Sequence, residues 1–152
     1  MARAPFQILV YLYRRTGDDE YEYALLKRSD AGWWQGIAGG GEGVETALEA
    51  ARREVKEETG IASDSHFLTL DTVVWVRVTQ FRDSHLWGEG VYVIPQYCFG
   101  LLAQNEKIML SREHTEYRWL NYSEADLLIK YEEDKTALWE LNKRLKRKGP
   151  RG

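Results

Sequence analysis

Residues 39–61 read GGGEGVETALEAARREVKEETGI, a run of glycines followed by a segment dense in glutamate. The spacing predicts a helix from Val44 to Thr59. Gly60 would end it, since glycine readily takes the left-handed conformation that follows a last helical turn. On that helix Glu54, Glu57 and Glu58 share one face, because separations of three and four residues bring side chains together. Ala47, Leu48, Ala51 and Val55 make a neighbouring apolar stripe that can lie on a sheet. Clustered like charges oppose the helix, and a hard divalent cation taking oxygen ligands would offset the repulsion. Arg52, Arg53 and Lys56 could do the same through weak surface pairs, and a bare glutamate-rich face is most often simply solvated. The glycines weigh against that plain reading. Gly39 to Gly41 let backbone approach a phosphate or a cation closely.

Taken together, Gly39, Glu45, Arg53, Glu54, Val55, Glu57, Glu58, Gly60 and Ile61 resemble the signature box of the Nudix hydrolases, G-x5-E-x7-R-E-U-x-E-E-x-G-U, with U a bulky aliphatic residue. Every defined position of the box is filled. The resemblance implies a fold: α/β, a Nudix-type α/β/α sandwich with a mixed β-sheet between helices. It also implies a chemistry, hydrolysis of a diphosphate linked to another moiety by metal-activated water. Glu54, Glu57 and Glu58 would bind Mg²⁺, with Mn²⁺ able to substitute, and the carbonyl of Ala38 would join them. Glu45 and Arg53 would form a supporting salt bridge that orients the catalytic glutamate. In many such proteins a glutamate stands six residues before a tryptophan, as Glu113 stands before Trp119, and serves as metal ligand or general base. Glu116 and Glu54 compete for the base role.

On the substrate side the candidates are Gly39 and Gly40, Trp34 just before them, and Trp87 in the polar loop Phe81–Gly90. Either tryptophan could stack on a base or pterin, or merely pack: Trp34 in the core, Trp87 over the sheet edge. His114 is a further candidate for phosphate binding, although a lone loop histidine usually has no such role. Where the commoner family pattern has proline before the glycines, this chain has Ala38, which removes a rigid φ.

Pro5–Val10, Trp34-Gln35, Glu113-His114 and Tyr117–Leu120 are similar to the branch of the family acting on dihydroneopterin triphosphate, whose members also cleave dATP and other nucleoside triphosphates. The expected reaction is cleavage of a nucleoside or pterin triphosphate between its α and β phosphates, giving a monophosphate and pyrophosphate. ADP-ribose, a nucleotide sugar, a dinucleotide or a capped RNA end are alternative substrates within the family. A non-catalytic nucleotide-binding module is the alternative of a different class, disfavoured by the complete box.

Composition fits one soluble domain over residues 1–152. The chain is 43% hydrophobic and 30% charged, with a net charge of −3. That charge argues against a general nucleic-acid binder. Lys143, Arg144, Lys146, Arg147, Lys148 and Arg151 contribute +6, leaving −9 on residues 1–142; cations ending a helix also suit its dipole. One cysteine, Cys98, excludes an internal disulfide, and its apolar surroundings predict a core thiol. The apolar run Ile8–Tyr13 is too short for a signal or membrane segment, so the expected location is cytoplasmic and no membrane partner is expected. The sequence leaves the oligomeric state open, a homodimer included.

Strands are expected at Phe6–Tyr13 and Tyr21–Lys27, joined by a turn at Thr16–Asp19, and at Trp34–Ala38, His66–Thr79 and Glu116–Leu120. A further strand over Val91–Ala103 should be interrupted at Pro95. Ser123 and Asp126 should open a helix to Lys130 as a capping box. Asp134 should cap a last helix that places Leu138, Leu141 and Leu145 on one face.

Overall fold

The structure, a computed structural model, describes residues 2–62 and 66–147; Lys148 and Arg151 of the basic tail lie outside them. Strand β1 (Arg3–Gly17) turns at Asp18-Asp19 into β2 (Glu20–Arg28). Then follow β3 (Trp34–Gln35), β4 (Ile37–Glu42) and helix α1 (Ala47–Thr59). After α1 come β5 (Phe67–Arg77), two 3₁₀ turns at Val78–Gln80 and Arg82–Trp87, β6 (Val93–Leu102) and β7 (His114–Leu120). Helices α2 (Tyr122–Leu128) and α3 (Glu132–Lys146) complete the described elements.

All seven strands join in one mixed sheet. One edge of β1 runs parallel to β6, from Gln7 opposite Gln96 to Tyr13 opposite Leu102. The other edge is shared: β2 pairs antiparallel with it from Leu12 onward, and β4 takes the preceding stretch from Arg3 to Val10. The hairpin strands therefore splay beyond Leu12 and Ala24, and the chain of β3 and β4 fills the opening. That places the glycines of β4 beside the first half of β1, with Gly39 opposite Ile8 and Gly40 opposite Gln7.

Strand alternation sorts the core into two layers. Ile8, Val10 and Leu12 of β1, with Ala24 and Leu26 of β2, pack against Ala50, Ala51 and Val55 of α1. Leu9, Tyr11, Tyr23 and Leu25 point the other way, onto Ala125 of α2 and Ala137, Leu138 and Leu141 of α3. Leu145 packs against the same cluster, completing the expected stripe. Fully burying each large aliphatic side chain contributes about 1.5–3 kcal/mol, so both helix layers are firmly seated. Two buried tyrosines pin α3: Tyr11 donates to the Asp134 carbonyl at 2.8 Å and Tyr23 to Asn142 Oδ1 at 2.7 Å. Cys98 is a core thiol as expected, its pKa pushed up to about 12, chiefly by burial.

Four local expectations differ. Helix α1 begins at Ala47 rather than Val44, because Thr46 and Glu49 form a capping box: Glu49 N–H donates to Thr46 Oγ1 at 3.1 Å and Thr46 N–H to Glu49 Oε1 at 2.8 Å. Helix α2 is capped by Asn121 with Glu124, not by Ser123 with Asp126. Asp134 lies inside the first turn of α3, buried, where it accepts from Gln96 Nε2 at 2.9 Å. Strand β6 passes through Pro95 unbroken; pairing with β1 starts only at Gln96, so the missing N–H falls where β6 has one neighbour. No described helix is long and apolar enough to cross a membrane.

Candidate active site

Because α1 starts late, Glu45 lies on the approach to the helix, free to fold back along it. Arg53, two turns on, meets it with a two-pronged ion pair: Nε to Oε2 at 2.8 Å and Nη2 to Oε1 at 3.0 Å. The same carboxylate accepts the Glu42 N–H at 2.9 Å, tying the β4–α1 connection to the helix. Hydrogen bonding from Arg53 holds the Glu45 pKa below the usual carboxylate range against a partial opposing effect of burial.

The remaining donors of Arg53 spread across the site. Nη2 reaches the Gly40 carbonyl at 2.8 Å, and Nη1 reaches Glu54 Oε1 at 2.9 Å and Glu57 Oε1 at 3.2 Å. Glu54 lies against Gly39 so closely that a Cβ at that position would overlap its carboxyl group. This close approach is what the glycine is for. Burial lifts the Glu54 pKa to about 7, even though Arg53 pulls the other way.

The other end of the cluster is built from α1 and the segment entering β7. Glu58 is buried, and its Oε1 accepts from Ser111 Oγ at 3.0 Å. His114 Nδ1 stands 2.9 Å from Glu58 Oε2, off the line of a hydrogen bond, so neither atom has a well-directed partner. The Glu113 carboxyl lies beside that of Glu58, and Ser111 Oγ, which donates to Glu58, accepts the Glu113 N–H at 3.3 Å. The neighbouring Glu58 carboxyl, together with burial, raises the Glu113 pKa; at Glu58 burial is outweighed by the adjacent His114, Glu113 and Ser111 side chains, and the pKa falls.

Two carboxyl groups in contact and a third buried near neutrality form an all-oxygen donor set short of positive charge. Such a set fits a hard divalent cation. Among the described residues, no three acidic, histidine or cysteine side chains yet converge as a finished cage. The reason is visible: Arg53 Nη1 occupies the space between Glu54 and Glu57, while Glu58 is turned toward Ser111 and His114.

Glu45, Glu54 and Glu57 are thus linked through Arg53, while Glu58, on the same helix, is grouped with Ser111 and Glu113. Ala38 precedes Gly39 in β4, opposite Leu9, with its side chain toward the α3 layer. Glu116 is set apart, opposite Lys27 and 3.7 Å from Arg118. Trp34 is buried in the α2–α3 layer, with the Arg118 guanidinium 4.8 Å over its ring. Trp87 donates from Nε1 to the Arg3 carbonyl at 2.8 Å and meets Phe81 edge-on. Sequence reasoning missed Ser111, which has no motif around it; its role appears only when its loop folds onto α1. A surface groove of about 570 Å³, lined by Asp71, Thr72, Trp139 and Glu140 among others, lies against α3 and shares no residue with the carboxylates.

Comparison with known proteins agrees with this geometry. The NUDIX domain family matches residues 5–141. The dihydroneopterin triphosphate diphosphatase of Escherichia coli K12 is 34% identical over 140 residues, 90% of this chain and 91% of its own length. The asymmetrical bis(5'-nucleosyl)-tetraphosphatase of Mus musculus is 30% identical over 133 residues, 86% of this chain and 84% of its own. Among solved structures, a NUDIX hydrolase from Listeria monocytogenes superposes with a TM-score of 0.84 at 38% identity, covering 94% of this chain and 95% of that one. The E. coli dihydroneopterin triphosphate pyrophosphohydrolase superposes at 0.73 with 28% identity, covering 93% and 98%. The chain belongs to the Nudix family of hydrolases acting on phosphoanhydride bonds.

Proposed function

We propose that the protein hydrolyses a nucleoside or pterin triphosphate between the α and β phosphates, releasing a monophosphate and pyrophosphate. The observation that carries this is the carboxylate cluster of α1, packed on bare glycine backbone and braced by the Arg53–Glu45 pair. Glu54, Glu57 and Glu58, with Glu113 and the Ala38 carbonyl, would hold Mg²⁺ or Mn²⁺. Such an ion, when bound, neutralises phosphate charge and lowers the pKa of water. Arg53 positions Glu54 and Glu57 through Nη1, while Glu45 keeps its guanidinium in place. Glu113, beside Glu58 and tied to it through Ser111, is a better candidate than Glu116 to accept a proton from the attacking water. The identity to the dihydroneopterin triphosphate diphosphatase over nine-tenths of both chains favours a pterin or nucleoside triphosphate.

A second reading, cleavage of a dinucleoside tetraphosphate, is favoured by the similarity to the mouse enzyme. A panel of dihydroneopterin triphosphate, dATP, 8-oxo-dGTP, diadenosine tetraphosphate and ADP-ribose, with product analysis in Mg²⁺, separates them. Pyrophosphate released fastest from a triphosphate supports the first reading. Preference for the tetraphosphate supports the second, and turnover of ADP-ribose alone would overturn both.

A further inference from the structure

The glycine strand has two sides, and the second carries an arginine that the carboxylate cluster does not use. Gly39 receives Glu54 on the α1 side. On the opposite side a Cβ at Gly40 would overlap the Arg3 guanidinium. Since β4 has no side chains at these positions, a single thickness of backbone separates Arg3 from the Glu54–Arg53 pair. The Gly40 carbonyl between them is held by Arg53.

Arg3 is fixed rather than free. Its carbonyl accepts from Trp87, its guanidinium lies 5.2 Å from the centre of the Phe81 ring, and Nη2 donates to Gln7 Oε1. Its charge nevertheless has no carboxylate partner among the described residues. Glu42, its partner across the strand pair, turns to Arg53 at 3.5 Å. Nε is buried with no hydrogen-bond acceptor, an arrangement that costs free energy unless something else supplies the acceptor. Arg53 cannot serve an incoming anion, because Glu45, Gly40, Glu54 and Glu57 already engage its Nε and both terminal nitrogens.

We infer that Arg3 is a substrate-binding residue, its guanidinium fork taking a phosphate oxygen of the substrate chain on the side of the glycine strand away from α1. This rests on the phosphoanhydride reading above and adds a second cationic contact to it. Arginine suits the task because its planar fork matches phosphate and stays charged. The Phe81–Trp87 edge sets where the fork points, which assigns the 3₁₀ segment Arg82–Trp87 a part in holding the substrate contact.

The test compares wild type with Arg3→Met and Arg3→Lys, measuring kcat and KM on the best triphosphate. Binding of inorganic pyrophosphate and of dAMP is measured by calorimetry with Mg²⁺. A charge-assisted contact predicts a KM raised about tenfold or more in Arg3→Met, with kcat little changed. At least one of the two product probes should weaken in parallel, and Arg3→Lys should recover part of the loss. If KM and both affinities stay at wild-type values while only the melting temperature drops, Arg3 is a structural anchor and the inference fails. Should Arg3→Met not fold, Arg3→Lys decides: it keeps the charge but not the fork, so unchanged KM and probe binding overturn the proposal. A wild-type enzyme inactive on every triphosphate would instead sink the functional reading, while the pyrophosphate titrations still report on Arg3.

Discussion

Arg53 and Glu45 face each other through two parallel hydrogen bonds, at 2.8 and 3.0 Å, across the entrance to α1. That pair fixes the guanidinium from which Glu54, Glu57 and the Gly40 carbonyl are all positioned. Arg53→Lys keeps a charge but loses the fork. Its kcat is expected to fall by about 10–100-fold, the usual cost of losing a group that orients metal ligands. Chemical denaturation should show little change in stability, and a large collapse of the fold would contradict a positioning role.

Gly39 is the glycine whose missing side chain bears on the carboxylates directly. A methyl group there meets the Glu54 carboxyl, so Gly39→Ala should displace that side chain. A displacement of about 1 Å costs about a hundredfold in rate. The variant should fold normally by circular dichroism yet turn over slowly; near wild-type kcat would mean that Glu54 is not held where the chemistry needs it.

Glu113 and Glu116 make opposite predictions. Glu113 lies beside Glu58, joined to it through Ser111, whereas Glu116 lies near Arg118. Glu113→Gln should lower kcat by about 10²-fold or more and change the pH–rate profile, as expected on removal of a general base. Glu116→Gln should leave both near wild type. The reverse result would move the base to Glu116.

Asp134 predicts a pH dependence of stability. Burial raises its pKa to about 6, with Gln96 opposing. The folded state therefore holds the proton longer than an unfolded aspartate, whose pKa is about 3.9. Stability from this group is fully present below about pH 4 and is lost as pH rises through about 6, by up to about 3 kcal/mol. Asp134→Asn keeps an acceptor for Gln96 without the charge. Its melting temperature should exceed that of wild type at pH 7–8, with the gap closing near pH 4; a gap independent of pH would contradict the assignment.

The residues that could be read from sequence share a property: their signals are local and periodic. The carboxylate face of α1, its apolar stripe, Gly60 as its end and the β1–β2 hairpin all follow from spacing. The capping of α2 is local too, but it turns on a choice between overlapping signals. Asn121 with Glu124 competes with Ser123 with Asp126, and the earlier start wins by turning Ala125 into the core. Asp134 was beyond reach for another reason, since its partner Gln96 comes from a distant strand. Arg3 and Ser111 belong to the same class: nothing near them in sequence marks them, and only the splayed hairpin and the loop before β7 bring them to the site.

The most direct measurement is pyrophosphate release from dihydroneopterin triphosphate in wild type, Glu57→Gln and Glu58→Gln, with Mg²⁺ and after its removal by chelation. The account predicts release that stops on chelation, returns when Mg²⁺ or Mn²⁺ is restored, and falls by about two orders of magnitude or more in each variant. Turnover indifferent to chelation, or near-normal kcat in either variant, would contradict it.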